Sequence, residues 1–222
     1  MVEITSEIFQ VGGGNLTSPD DAAIYLIKFG DEPALVDAGC GLATDRLLAN
    51  ISKCGTDPQQ IKHLLITHCH FDHTGGAADL KQRIGLNVVA HELDAAFLEA
   101  GDNRVTAANW YAARLKPFIV DRKISGPGGE ILLGGRKIKA IHAPGHTPGS
   151  VVYLTESDGL KVLFAQDVHG PIDPSFLSNY DHYQKSLELL LAIKADILCE
   201  GHFGVYRGKA KVSEFILQFI EE

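Results

Sequence analysis

The sequence predicts an α/β fold in which two β-sheets face each other and helices cover their outer sides. Three observations predict it. The chain reads as two similar halves, each strand-rich and each followed by helix and strand. Its strand candidates are short apolar runs bounded by Gly, Pro, Asn or Asp. Its helix candidates carry one apolar face, which must be buried against another layer.

Taken in order, the N-terminal stretch alternates weakly through Ile4, Ile8 and Val11. Residues 22–29 and 34–36 read as two strands joined by a turn at Gly30-Asp31-Glu32-Pro33. A helix is predicted over Thr44–Lys53, with Thr44 as its cap, Leu47, Leu48 and Ile51 facing inward, and Gly55 just past its end. Residues 61–67 suit a buried strand. A His-rich loop follows, then a helix over 75–83 and a strand over 87–90. From His91 to Lys116 the pattern is helical and amphipathic, with Trp110 and Tyr111 near its end. After a turn at 126–129 come strands over 131–133, 137–141, 151–154 and 162–165. A helix over 183–193, a strand over 197–199 and a final helix complete the chain. That last helix sets Val212, Phe215, Ile216, Phe219 and Ile220 on one face.

Composition narrows the function. Of the 222 residues, 45% are hydrophobic and 22% charged, the balance of a chain that buries a core. With 20 Lys and Arg against 28 Asp and Glu, the net charge is −8, which repels phosphate backbones and disfavours nucleic acid as a partner. No apolar run approaches the roughly 18 residues of a membrane span. The start, Met1-Val2-Glu3-Ile4, lacks a basic segment followed by an apolar one, so no export signal is expected. Cys40, Cys54, Cys69 and Cys199 fit neither a disulfide framework nor a zinc ribbon, so a reducing cytoplasm is the expected compartment.

The ten histidines are the unusual count, and several cluster. Thr67-His68-Cys69-His70-Phe71-Asp72-His73-Thr74-Gly75-Gly76 lies between a predicted strand and a predicted helix. In extended chain His68 and His70 point to one side and Cys69 to the other, so Cys69 reads as a packing residue. Asp72 and His73 follow around the turn. Imidazole nitrogens and carboxylate oxygens are donors that zinc accepts. The competing account is a solvated polar loop, and it loses ground because three further strand ends carry ligand-type residues. These are His146 in Pro144-Gly145-His146-Thr147, Asp167 in Phe164-Ala165-Gln166-Asp167, and His202 in Glu200-Gly201-His202. Each alone is better read as a turn, cap or surface residue.

Together these segments resemble the metallo-β-lactamase superfamily, the glyoxalase II-like hydrolases more than the β-lactamases. The resemblance covers nearly all of 1–222, read as a single domain, and implies an α/β fold of the four-layer αββα sandwich type with metals at one edge between the sheets. It implies that His68, His70 and His146 hold one divalent ion, that Asp72, His73 and His202 hold another, and that Asp167 bridges them. It favours Asp37, at a strand end, as the acceptor that orients a ligand histidine, over a plain turn residue. Two ions sharing a carboxylate would hold a hydroxide between them at neutral pH, the nucleophile for cleaving a thioester, ester or lactone. Asp72 and Asp167 are thus the catalytic carboxylates. His169, two residues past Asp167, is the other histidine placed to face the cleft and the nearest candidate general acid.

Zinc is the expected metal, with iron or manganese as alternatives. A mononuclear iron sulfur dioxygenase of the same superfamily would use His68, His146 and Asp167. A β-lactam hydrolase and a non-catalytic metal-binding protein are the remaining readings. Lactonases of the superfamily have a tyrosine shortly after the bridging aspartate, where this chain has Val168-His169-Gly170. Glyoxalase II enzymes add a helical domain after the last metal histidine, and here only one helix's worth of chain follows His202. A helical, lid-like insertion at about 91–123 would take its place. Its Phe97, Trp110, Tyr111 and Phe118, with Arg104, Arg114, Lys116, Arg122 and Lys123, would suit an anionic, partly apolar acyl substrate, or would simply pack. The acyl group, the leaving group and homodimerisation are left open.

Overall fold

The computed structural model describes residues 1–165 and 167–220. Gln166, part of a strand end quoted above, lies outside the described residues.

The first sheet runs in chain order from edge to edge. Its strands are β1 (Val2–Glu3), β2 (Ile8–Gly12), β3 (Ile24–Phe29), β4 (Glu32–Val36), β5 (His63–Leu65), β6 (Asn87–His91) and β7 (Arg122–Ile124). β1 to β4 pair antiparallel, and β4 to β7 pair parallel. Parallel neighbours need crossovers, which the helices supply. These are α1 (Thr44–Lys53), α2 (Phe71–Thr74), α3 (Ala77–Ile84) and α4 (Glu92–Ala100). The second sheet holds β8 (Gly128–Leu133), β9 (Arg136–His142), β10 (Val151–Ser157), β11 (Leu160–Phe164), β12 (Ile197–Cys199) and β13 (Val205–Arg207). α5 (Tyr180–Ile193) and α6 (Lys209–Leu217) complete this half.

Side-chain alternation builds the layers. In β3, Ile24 and Leu26 join a cluster with Leu47 and Ile51 of α1, Leu80 of α3 and Leu98 of α4. Tyr25, Ile27 and Phe29 face the other way and meet Ile131, Ile138, Tyr153 and Phe164 of the second sheet. In β11, Leu163 packs on Leu187 and Leu190 of α5 and on Phe215 and Ile216 of α6. The order is therefore helix, sheet, sheet, helix, the αββα sandwich expected. Leu47 and Ile51 are fully buried, and at about 1.5–3 kcal/mol each they dock α1. Among the described residues no helix is long and apolar enough to cross a membrane.

Local readings needed correction in three places. Thr44 is the first helical residue and not the cap; Ala43 holds the cap position without a side-chain bond, while the Thr44 hydroxyl turns back to the Gly41 carbonyl. The helix predicted over 75–83 starts two residues later, as α3, and a separate short turn, α2, precedes it within the His-rich segment, carrying Asp72 and His73 round. The stretch from His91 to Lys116 is helical only to Ala100. Gly101 ends α4 in a left-handed conformation, and the Asp102 carboxylate then accepts from the N–H groups of Arg104 and Val105, a turn that competes with helix. A single 3-10 turn (Ala108–Tyr111) follows, and Pro117 lies in the extended run that leads into β7.

Candidate metal centre

The site lies where several strands end. β5 stops at Leu65, and the extended chain after it sends His68 and His70 inward and Cys69 into the helix-side core. α2 then carries Asp72 and His73 on one short turn. Gly75 permits this turn, since a Cβ there would sit 2.6 Å from the Cys40 carbonyl oxygen. His146 follows β9, Asp167 follows β11, and His202 follows β12. Asp37 and Asp167 have φ of 60° and 56°, left-handed values that Asp tolerates better than most residues.

All seven sequence-predicted ligand residues converge. One group comprises His68, His70, His146 and Asp167, and a second comprises Asp72, His73 and His202; within each group the donor atoms lie within 4.8 Å of one another. Asp167 faces both groups with different oxygens. Its Oδ2 is 3.5 Å from His68 Nε2 and 3.3 Å from His146 Nε2. Its Oδ1 is 3.2 Å from His73 Nε2 and 3.3 Å from His202 Nε2. Asp72 Oδ2 is 3.2 Å from His202 Nε2 and 3.5 Å from His73 Nε2.

These residues fit divalent metal. Donors held tetrahedrally at 2.0–2.1 Å lie about 3.3–3.4 Å apart, close to the separations seen. His68 Nε2, His70 Nε2, His73 Nε2 and Asp167 Oδ1 are buried and make no hydrogen bond. Orphaned buried polar atoms are costly and rare; His68 Nε2, His73 Nε2 and Asp167 Oδ1 are donors that a cation would satisfy, and His70 meets the cluster through Nδ1, 3.0 Å from His146 Nε2.

The distal ring nitrogens are anchored. Asp37 Oδ2 accepts from His73 Nδ1 at 2.7 Å, and the Asp37 carboxylate is itself held by Thr67 N–H and O–H. The Pro171 carbonyl accepts from His146 Nδ1 at 2.8 Å. Both contacts fix the tautomer that turns Nε2 toward the centre. His169 joins Asp167 and His202 in a third group of donor atoms, and its Nδ1 is 2.7 Å from Glu200 Oε1.

Electrostatics divide the two groups. Burial, reinforced by neighbouring imidazoles, pushes His68 down and His70 well down from the ordinary imidazole range. Burial also opposes charge on His73, yet Asp167, Asp72 and Asp37 raise it well above that range. His202 is raised to about 10 against burial, by the Asp167 and Asp72 carboxylates beside it. Burial disfavours the Asp167 anion, but His73 and His68 hold its carboxyl well below the usual carboxylate range. A concentrated negative centre thus attracts protons when no ion is there, and would exchange them for a metal.

Three contributors escaped the sequence reading. Asp94 of α4 is buried and accepts from Cys69 N–H, Gly149 N–H and Thr147 O–H, at 2.7–2.8 Å. It ties the His68–His73 segment to the loop bearing His146. Glu200 is buried and accepts from the N–H groups of His202 and Phe203 besides holding His169. Phe176 lines the cleft beside the ligands. An acidic residue in a helix's first turn reads as surface, so Asp94 carried no sequence signal; Glu200, two residues before His202, carried a weak one.

Of the lid and packing alternatives for the stretch at about 91–123, three of its basic residues follow the second. Lys123 pairs with Glu99, Lys116 bonds Gln82, and Arg122 bonds the Glu130 carbonyl. Phe118 is buried in the helix-side core and Phe97 packs against it. Only Trp110 and Tyr111 of the named aromatics reach the cleft.

Comparison with known proteins agrees with this geometry. The model of the metallo-beta-lactamase superfamily matches residues 17–202. An acyl-coenzyme A thioesterase, MBLAC2 of Gallus gallus, is 29% identical over 90% of this chain and 79% of its own length. The hydroxyacylglutathione hydrolase GloC of Haemophilus influenzae is 32% identical over 61% of this chain and 60% of its own. Among solved structures, a metallo-beta-lactamase of Cronobacter sakazakii superposes with a TM-score of 0.82 at 22% identity, over 97% of this chain and 89% of its own, a likeness of fold. A beta-lactamase from Chitinophaga pinensis gives a TM-score of 0.76 at 27% identity, over 90% and 77%.

Proposed function

We propose that this chain, which belongs to the metallo-beta-lactamase superfamily, is a dinuclear zinc hydrolase that cleaves a thioester. The observation that carries the reading is the pair of donor groups that Asp167 faces, with the orphaned His68 Nε2, His73 Nε2 and Asp167 Oδ1 among their donor atoms. When bound there, divalent ions make water acidic enough to attack at neutral pH and polarise an acyl carbonyl.

The chain's own residues supply the rest. His68, His70, His146 and Asp167 would hold one ion, and Asp72, His73, His202 and Asp167 the other. Asp37, Thr67 and the Pro171 carbonyl hold the imidazoles so that no reorganisation is needed during reaction. The Asp72 and Asp167 carboxylates offset repulsion between two cations. Glu200 fixes the His169 ring at the cleft wall.

Thioester is favoured over β-lactam by the names of MBLAC2 and GloC and by chemistry. A thiol has a pKa near 8.5, so its thiolate leaves with little acid assistance. Four buried free cysteines agree with a reducing, cytoplasmic setting. The test combines metal analysis of the native protein with turnover of an acyl thioester, an acyl lactone and a cephalosporin. Two zinc ions per chain and the highest kcat/KM on the thioester are expected. A cephalosporin turned over fastest would replace this reading with a lactamase, and a single iron would replace it with a dioxygenase.

A further inference from the structure

A cleft of about 210 Å³ opens beside the ligands. Its polar lining is His70, Asp72, Asp167, His169 and His202, with the Tyr111 hydroxyl turned to Asp72; Ala107, Trp110, Pro171 and Phe176 form an apolar wall. The apolar wall joins two segments far apart in sequence. Phe176 is 1% exposed and meets the His70 ring edge-on at 4.3 Å between centroids. It also supports the Trp110 ring at 4.7 Å. Trp110 itself is 61% exposed, an apolar ring held over the opening. Its turn is fixed at both ends by left-handed alanines, Ala107 at φ 57° and Ala112 at φ 50°. Such outliers cluster at ligand clamps.

Charge and apolar surface narrow what enters. Among the described residues lining the cleft there is no Lys or Arg. The cleft is open to solvent on one side, so the extent of apolar surface around Trp110 and Phe176, more than enclosure, sets what it matches. A second groove, of about 470 Å³, lies on the other side of His202 and is lined by Gly13, Gly14, Asn15 and Asp21 among others, a surface rich in backbone and polar groups.

We infer that the cleft is an acyl subsite for a compact, uncharged, aromatic acyl group that stacks on Trp110, with the leaving thiol running along the second groove. The inference rests on the thioester-hydrolase reading and adds the acyl class. A long alkyl chain outruns the apolar surface around Trp110 and Phe176, and an anionic acyl group finds no Lys or Arg side chain among the described lining residues.

Trp110 is the single tryptophan of the chain, so its fluorescence reports the subsite directly. The zinc-loaded protein is given N-acetylcysteamine thioesters of acetate, benzoate and decanoate, and also the benzoyl analogue with CH2 in place of sulfur. The benzoyl thioester should show the highest kcat/KM. The inert analogue should change Trp110 fluorescence saturably. Trp110→Ala should shrink the benzoyl-to-acetyl ratio by roughly five- to tenfold, and Trp110→Phe should restore most of it. A ratio indifferent to Trp110→Ala, a rate that rises to decanoyl, or no fluorescence response overturns the subsite while leaving thioester hydrolysis intact. Saturable binding of the analogue with no hydrolysis of any thioester supports the subsite and removes the hydrolase reading instead.

Discussion

Asp94→Asn should destabilise the protein and loosen its metal site, although Asp94 is not placed as a ligand. Asp94 Oδ2 accepts from Cys69 N–H and Thr147 O–H, and Oδ1 from Gly149 N–H. An amide of the same shape keeps one acceptor oxygen. In its better orientation that oxygen retains the first two partners, and the new NH2 faces the Gly149 N–H, donor against donor. Losing one charge-assisted bond costs about 1.5–3 kcal/mol, and the two retained bonds weaken to neutral ones, so the total is roughly 3–4 kcal/mol. Space offers no relief, since a Cβ on Gly149 would already lie 2.5 Å from Asp94 N. For a chain of this length that loss lowers Tm by about 6–15 °C. Because these bonds join the two segments carrying His68, His70 and His146, zinc affinity should fall about 10–100-fold as well. Thermal unfolding of metal-free protein and competition titration with a chelator measure the two effects. Asp79→Asn, on the exposed side of α3, is the control. A Tm change under about 1 °C with unaltered zinc affinity would refute the claim that Asp94 holds the two segments together.

Three further outcomes follow from the site. Zinc uptake at pH 7.5 should release about two protons, because His73 lies well above and His202 at about 10 in the metal-free site; proton competition weakens as pH rises, so apparent affinity should climb until pH passes about 10. Calorimetry in buffers of different ionisation enthalpy reads this, and no proton release contradicts the assignment. Asp167→Ala removes the carboxylate both groups face, so metal content should drop by at least one ion per chain and activity by more than about a hundredfold, measured by elemental analysis and turnover. Cys69 is buried, and burial together with Asp94 raises its thiol well above the ordinary range. It should resist a thiol reagent in the native state, and Cys69→Ala should keep activity within about threefold; abolished turnover with the fold and metal retained would point to thiol catalysis.

Local sequence was most informative where chemistry is concentrated. His68 and His70 could be placed on one side, and Cys69 on the other, from strand alternation alone. The helix over Thr44–Lys53 and the strand at Ile197–Cys199 were legible for the same reason, since each carries its own apolar pattern. The edge strands β7 and β13, three residues each, were not, because an edge strand is defined by its neighbour more than by its composition. The long helix expected after His91 failed because an amphipathic count ignores the Gly101-Asp102 stop signal and Pro117.

What the sequence determined by itself was the layered α/β architecture and the identity of the clustered donors: apolar periodicity specifies which faces must be buried, and imidazole and carboxylate specify the chemistry. What only the tertiary structure decided were the relations across the chain. Asp94 and Glu200 became anchors, Trp110 and Phe176 became a wall, and Lys123, Lys116 and Arg122 turned away to Glu99, Gln82 and the Glu130 carbonyl. A buried carboxylate is stable only where several N–H or O–H groups from different loops meet it, and no spacing along one chain encodes that meeting.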